Sequence, residues 1–131
     1  MLSLTEQFVF TRPFTEGDET NKCSPEVKDI LHTIYGDEVV METAKKMTKL
    51  FKEKKECLLH GDLHTGSVLV KGKDSRIIDL EFAFVGPAAF DVGMLLANYI
   101  FSYYRHMSIP ENNDQGRAFA QKMIETCHLT G

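Results

Sequence analysis

The sequence predicts an α+β chain, mostly α, in which a small β-hairpin carries polar residues at its ends. Two stretches, 24–36 and 37–54, repeat apolar residues at helical spacing. From Glu56 the pattern changes to short β-branched runs, "SVLVK" and "RIIDL", separated by the turn "KGKDS". Beyond Pro87 helical patterning returns. A chain of 131 residues is one domain's worth and can bury a core of modest size.

The elements are justified in order. Residues 1–22 read as a short strand or extended arm, "QFVFT", followed by a polar loop. A first helix starts with Ser24 at the N-cap and Pro25 at the first helical position, and ends at Gly36. Val27, Ile30, Leu31 and Ile34 fall on one of its faces. A second helix runs from Asp37 to about Lys54, with Val40, Ala44, Met47 and Phe51 as its inner stripe and the lysines outward. "CLLH" is a short apolar run, "GDLHTG" a turn-rich loop, and "FAFVGPAAFD" a second loop. A long helix from about Ala89 to Tyr104 follows and is read as a buried core helix. "SIPENND" is a linker, and Gln115 to Cys127 a last helix with Phe119, Met123 and Cys127 inward.

Composition removes several classes of function. With 43% hydrophobic and 26% charged residues, the chain belongs with ordinary globular proteins. A net charge of -4 argues against nucleic acid as a partner, because backbone binding needs a basic surface. Lys45, Lys46, Lys49, Lys52, Lys54 and Lys55 are a local exception, read as a solvated helix face. The most apolar run, Val92 to Tyr104, is too short to cross a bilayer, so no membrane partner is expected. Cys23, Cys57 and Cys127 are odd in number and far apart, with no C-x-x-C. That pattern favours a reducing compartment, the cytoplasm, over a disulfide framework. The N-terminus has no basic segment followed by a long apolar one, so no signal peptide is read there.

The chemistry gathers in "LLHGDLHTGSVLV" and "RIIDLEFAFVGP". Asp62 sits beside Gly61, which permits a tight or left-handed turn. Asp79 is placed at the end of the second hairpin strand, and Glu81, two residues on, shares its face if the strand persists. The hairpin would bring Ser67 and the Asp62 loop close to both. Carboxylates converging there repel one another unless a cation lies among them. Hard oxygen ligands suit Mg²⁺, which binds through one or two carboxylates together with phosphates. Phosphoryl transfer needs such a set: one carboxylate to orient an attacking hydroxyl and another to hold the metal. In the kinase signature an Asn follows the catalytic Asp by five residues; here Ser67 follows Asp62. His60-x-Asp62-x-His64 with Asp79 also admits a zinc hydrolase, but no further His lies in a comparable loop. His60 is read as packing under the loop, and His64 as a loop stabiliser or a neighbour of the phosphates. His32, His106 and His128 are read as surface or structural.

"HGDLHTGS", "IDLEFAFVGP" and "FDVG" resemble the C-terminal lobe of the S-methyl-5-thioribose kinase family, in the aminoglycoside/choline-kinase-like branch of the protein-kinase-like fold. Ser67 in place of Asn, and "DLE" in place of D-F-G, point to that narrower family; "FVFTRPF" near the N-terminus is also similar. The resemblance implies ATP and Mg²⁺ as cofactors and a small sugar as substrate, phosphorylated at its anomeric hydroxyl in methionine salvage. It implies Asp62 as catalytic base and substrate contact. Asp79 and Glu81 would bind Mg²⁺ and the ATP phosphates, with Leu80 between them in the nucleotide site and Ser67 as a weaker metal ligand. His60 and Asp91 would support the loop, Asp91 also suiting a helix N-terminus. A homodimeric parent is compatible with it.

Parts of that fold have no counterpart in the sequence. No G-x-G-x-x-G and no strand lysine precede the catalytic loop, and Arg105 and Arg117 do not match the family's substrate arginines. Residues 1–131 are therefore expected to be a partial kinase-like domain, the C-terminal lobe alone, inactive by itself. The alternatives are a related phosphotransferase with another acceptor, or a non-catalytic interaction remnant.

Overall fold

The structure is a computed structural model that describes residues 1–108 and 114–129, and the side chains within them except those of 108, 120 and 126–129. The chain is α+β and mostly α, with four short strands in two separate antiparallel pairs. It divides into two compact units, residues 1–59 with 84–87, and 60–83 with 88–131.

In the first unit the N-terminus is helical. A short helix α1 (Leu2–Thr5) runs into a wide π turn (Glu6–Thr11) and a 3₁₀ turn (Arg12–Phe14). The expected strand "QFVFT" is therefore wrong. Its β-prone residues are overruled by packing: the Phe10 ring lies 4.8 Å from Phe51, and the Thr11 hydroxyl donates to the Glu6 carboxylate across the turn at 2.8 Å. Asn21 ties down the loop that follows, donating to the Arg12 carbonyl at 2.6 Å.

Helix α2 (Pro25–Tyr35) has proline at its first position. Ser24 stands at the N-cap without a side-chain cap bond. Its hydroxyl turns instead to Glu26 and holds that carboxylate below its usual range. The expected apolar face is not sealed: Ile30 is 58% exposed and no residue of α2 is fully buried. Helix α3 (Glu38–Glu53) is capped by Asp37, which accepts from the amides of Val39 and Val40 at 2.9 and 3.1 Å, a cap worth about 1 kcal/mol. Ala44 and Phe51 of its inner stripe are buried, whereas Met47 is open to solvent. The lysines are exposed, as a solvated face requires.

The unit is completed by β1 (Cys57–Leu59), which pairs antiparallel with a segment 84–86. That segment is a strand and not the loop expected for "FAFVGPAAFD". Local sequence does not reveal it, because its hydrogen bonds come from a partner far away in the chain. Phe84 meets Phe51 edge-on at 5.5 Å. At Gly86 an added methyl would stand 2.8 Å from side-chain atoms of Leu59 and Phe84, which would have to shift to admit it.

The second unit begins at His60. Its hairpin is β2 (Val68–Lys71) and β3 (Asp74–Ile77), joined by Gly72 and Lys73, with Gly72 at φ 62°. A 3₁₀ turn (Leu80–Phe82) follows, and then the segment 84–86, labelled β4. Helix α4 (Ala89–Ser108) extends a turn beyond the expected end at Tyr104. It is not a buried core helix: Val92, Phe101 and Tyr104 are all more than 60% exposed, and among its described side chains only Phe90 is buried. Helix α5 (Asp114–Leu129) packs on α4. An added methyl at Gly116 would stand 2.7 Å from the His106 ring. Phe119, expected inward, is 59% exposed, and Met123 is half-buried. The side chains of Cys127 and His128 and most of the linker "SIPENND" lie outside the described residues. Among the described residues no helix is long and apolar enough to cross a membrane.

Candidate active site

Residues 60–67 form a loop held from outside by Asp91 and by Ile78. The Asp91 carboxylate, in the first turn of α4, accepts the His60 amide at 2.6 Å and the Gly61 amide at 3.1 Å. Two main-chain donors with little access to water are satisfied there by one charge. Gly61 has φ 86°, a left-handed conformation that a side chain would strain. The chain therefore turns sharply just before Asp62.

His60 is 6% exposed and uses both ring nitrogens. Nδ1 faces the Asp62 amide at 3.3 Å and Nε2 faces the Ile78 carbonyl at 2.7 Å. An acceptor at Nδ1 and a donor at Nε2 satisfy both contacts, which corresponds to the neutral Nε2–H ring. A zinc ion would have to displace one of these bonds. Among the described residues no three of His, Cys, Asp and Glu are grouped to enclose a metal ion.

His64 begins the 3₁₀ turn Thr65–Ser67, its Nδ1 accepting from the Gly66 amide at 3.0 Å. Its Nε2 stands 3.9 Å from the Asp62 carboxylate, which is about half exposed. Gly66 is required by this approach, since an added methyl would meet the His64 ring at 2.8 Å. Ser67 is 2% exposed. Its amide donates to His64, its hydroxyl to the Asp62 carbonyl at 3.4 Å, and its own carbonyl accepts from the Ile78 amide at 3.0 Å.

Ile78 thus docks on the loop that carries Asp62, and Asp79 is the next residue. Asp79 does not end a strand: β3 stops at Ile77, and Asp79 sits at φ 70°, ψ 53°. Glu81 lies within the 3₁₀ turn, so the same-face argument from strand alternation fails. The Ile78 amide still bonds Ser67 in register with the β2–β3 ladder, but the Ile78 carbonyl goes to His60 and the Ser67 amide to His64, and there the pairing ends. Asp79, Leu80 and Glu81 are all exposed, and among the described residues neither carboxylate has a hydrogen bond or ion pair. Exposed oxygens without protein partners suit Mg²⁺, which keeps several waters and takes one or two carboxylates. Ser67 offers its oxygen from a closed environment.

The Ile78 carbonyl and the Gly66 contact were not visible in the sequence. The first is a main-chain group with no residue preference. Gly66 did carry a signal, as a second glycine within six residues of Gly61. A separate apolar groove of about 350 Å³, lined by Val9, Phe10, Val40 and Met47 among others, includes none of these site residues.

A family model described as the phosphotransferase enzyme family (APH) matches residues 11–121. The chain belongs to that family, whose fold is protein-kinase-like. Curated relatives include the methylthioribose kinase of Escherichia coli O45:K1 (strain S88 / ExPEC), 35% identical over 124 residues, covering 95% of this chain and 29% of that protein. Methylthioribose kinase 1 of Oryza sativa subsp. japonica is 32% identical over 126 residues, covering 96% of this chain and 29% of its own length. The methylthioribose kinase of Exiguobacterium sibiricum is 38% identical over 104 residues, covering 79% and 26%. The chain spans less than a third of the length of these relatives.

Proposed function

We propose that this chain carries the acceptor-orienting and metal-binding residues of an ATP-dependent kinase that phosphorylates S-methyl-5-thioribose at its anomeric hydroxyl, a step of methionine salvage. The observation that carries the reading is the docking of Ile78 on His60 and Ser67, which sets the exposed Asp79 and Glu81 directly after a residue bound to the Asp62 loop. The relatives' shared name supports the choice of acceptor.

In this reading Asp62 accepts a hydrogen bond from the acceptor hydroxyl, turns its lone pair toward the phosphorus, and takes the proton as the new P–O bond forms. ADP leaves with the electrons of the broken P–O bond. Asp79 and Glu81 would hold Mg²⁺, which when bound would neutralise phosphate charge. Leu80 would belong to the nucleotide site. Asp91 and His60 fix the loop, so that Asp62 need not be reorganised when the acceptor arrives.

The test is a chimera in which this chain replaces the aligned segment of the Escherichia coli relative. It is assayed with Mg²⁺-ATP against methylthioribose, choline and an aminoglycoside. Transfer to methylthioribose above the other acceptors is expected. A folded, ATP-binding chimera that phosphorylates another acceptor better would overturn the choice of substrate.

A further inference from the structure

The bonds around Asp62 close into a ring. The Asp62 amide donates to His60 Nδ1, His60 Nε2 donates to the Ile78 carbonyl, the Ile78 amide donates to the Ser67 carbonyl, and the Ser67 hydroxyl donates back to the Asp62 carbonyl. Within the ring each of the four residues donates once and accepts once; at His60 both bonds lie on one conjugated group, and at the other three they lie on separate groups of the residue. Two of the four residues, His60 and Ser67, are buried, so water cannot readily replace a missing link.

We infer that Ser67 is a positioning residue that closes this ring and fixes Asp62 relative to Asp79, and that it is not a ligand of the metal. The inference rests on the phosphotransfer reading for the importance of Asp62. Its physical basis is separate. The Ser67 hydroxyl is enclosed, at 2% exposure, and its partner is the Asp62 carbonyl at a long 3.4 Å. A Mg²⁺ ligand must come within about 2.1 Å of the ion, and the ion keeps several waters. A donating hydroxyl keeps its lone pairs, so the obstacle is burial: reaching this oxygen would require the loop to open. Asp79 and Glu81 need no such opening. The hydroxyl bond is the longest in the ring at 3.4 Å, and without it the loop and the segment after β3 remain joined only through His60 and the Ile78 amide.

The experiment uses the whole chain and two readouts. Amide hydrogen exchange is followed at Asp62 and Ile78, with Phe51 of α3 as control. Mn²⁺ binding is followed by electron paramagnetic resonance. Ser67→Ala should speed exchange at Asp62 and Ile78 by about tenfold or more, leaving Phe51 unchanged, because a local opening becomes easier. Its Mn²⁺ midpoint should stay within about twofold of wild type, whereas Asp79→Ala should raise it by about tenfold or more. Ser67→Thr, which keeps the hydroxyl, should restore slow exchange. If Ser67→Ala does not fold, Ser67→Cys replaces it, being close in size with a weaker donor. A loss of Mn²⁺ affinity in the Ser67 variant matching that of Asp79→Ala would overturn the inference, as would unchanged exchange at both amides. Absence of Mn²⁺ binding by the wild-type chain would count against Asp79 and Glu81 as metal ligands. Exchange alone would then decide the role of Ser67.

Discussion

The carboxylate of Asp91 accepts the amide of His60 at 2.6 Å, the first of two bonds by which the start of α4 holds the loop that carries Asp62. The contact joins positions 31 residues apart and fixes the peptide immediately before the turn into Asp62. Removing the acceptor leaves two poorly solvated amides without a partner.

Asp91→Ala should therefore destabilise the protein by roughly 2–4 kcal/mol, about 1–3 for each unsatisfied donor with some recovery through water. Asp91→Asn keeps one oxygen and should cost about half as much. Urea unfolding of the two variants measures this. Equal stability of Asp91→Ala and wild type would show that the amides find other partners.

Asp79 combines strain with exposure. A residue with a side chain in the left-handed region costs about 1 kcal/mol, less for Asp than for most. Asp79→Gly should leave stability unchanged or raise it by about 0.5–1 kcal/mol, while Mn²⁺ affinity falls by about tenfold. Asp79→Ala should lose both. Thermal unfolding and metal titration of the pair separate the two effects, and an Asp79→Gly variant that binds Mn²⁺ normally would remove this carboxylate from the metal site.

Glu81 is proposed to share the metal with Asp79. Glu81→Gln preserves size and removes the charge, so it should weaken Mn²⁺ binding by several-fold, less than Asp79→Ala does. Stability should change by less than about 0.5 kcal/mol, since the side chain is exposed and without a protein partner. Mn²⁺ binding that is indifferent to Glu81→Gln would leave Asp79 as the sole protein ligand.

Gly86 tests the packing of β1 on β4. Gly86→Ala would push a methyl within 2.8 Å of Leu59 and of Phe84, whose ring meets the buried Phe51. Overpacking of this kind costs about 1–3 kcal/mol. Calorimetry should show the loss, and an unchanged melting temperature would mean that the two side chains move aside freely.

What could be read from the sequence was local. Asp37 marks the start of α3 because a cap is decided within three residues, and the Gly72 turn is likewise self-contained. The helical form of Phe8, Val9 and Phe10 was not legible, because the packing of Phe10 on Phe51 decides it against local propensity. The strand Phe84–Gly86 depends on pairing with Cys57–Leu59, which no local window contains. At the site, Asp62, Asp79 and Glu81 were identifiable as residues, but their arrangement was not. Strand alternation predicted a shared face for Asp79 and Glu81. The Ile78 carbonyl turns to His60 instead of to Ser67, the pairing ends there, and Asp79 is left-handed, so alternation does not reach Glu81. Main-chain partners of this kind leave no mark on residue choice.

The central claim is that Asp62 orients and deprotonates the acceptor hydroxyl in phosphoryl transfer. The most direct measurement is single-turnover phosphorylation of methylthioribose by the chimera with the Escherichia coli relative, compared with its Asp62→Asn version. The account predicts a fall of about a hundredfold to ten-thousandfold in the chemical step, with ATP affinity within about threefold. Asn keeps the shape of the side chain and cannot take the proton. A folded Asp62→Asn chimera that transfers phosphate within about twofold of its parent would contradict the account.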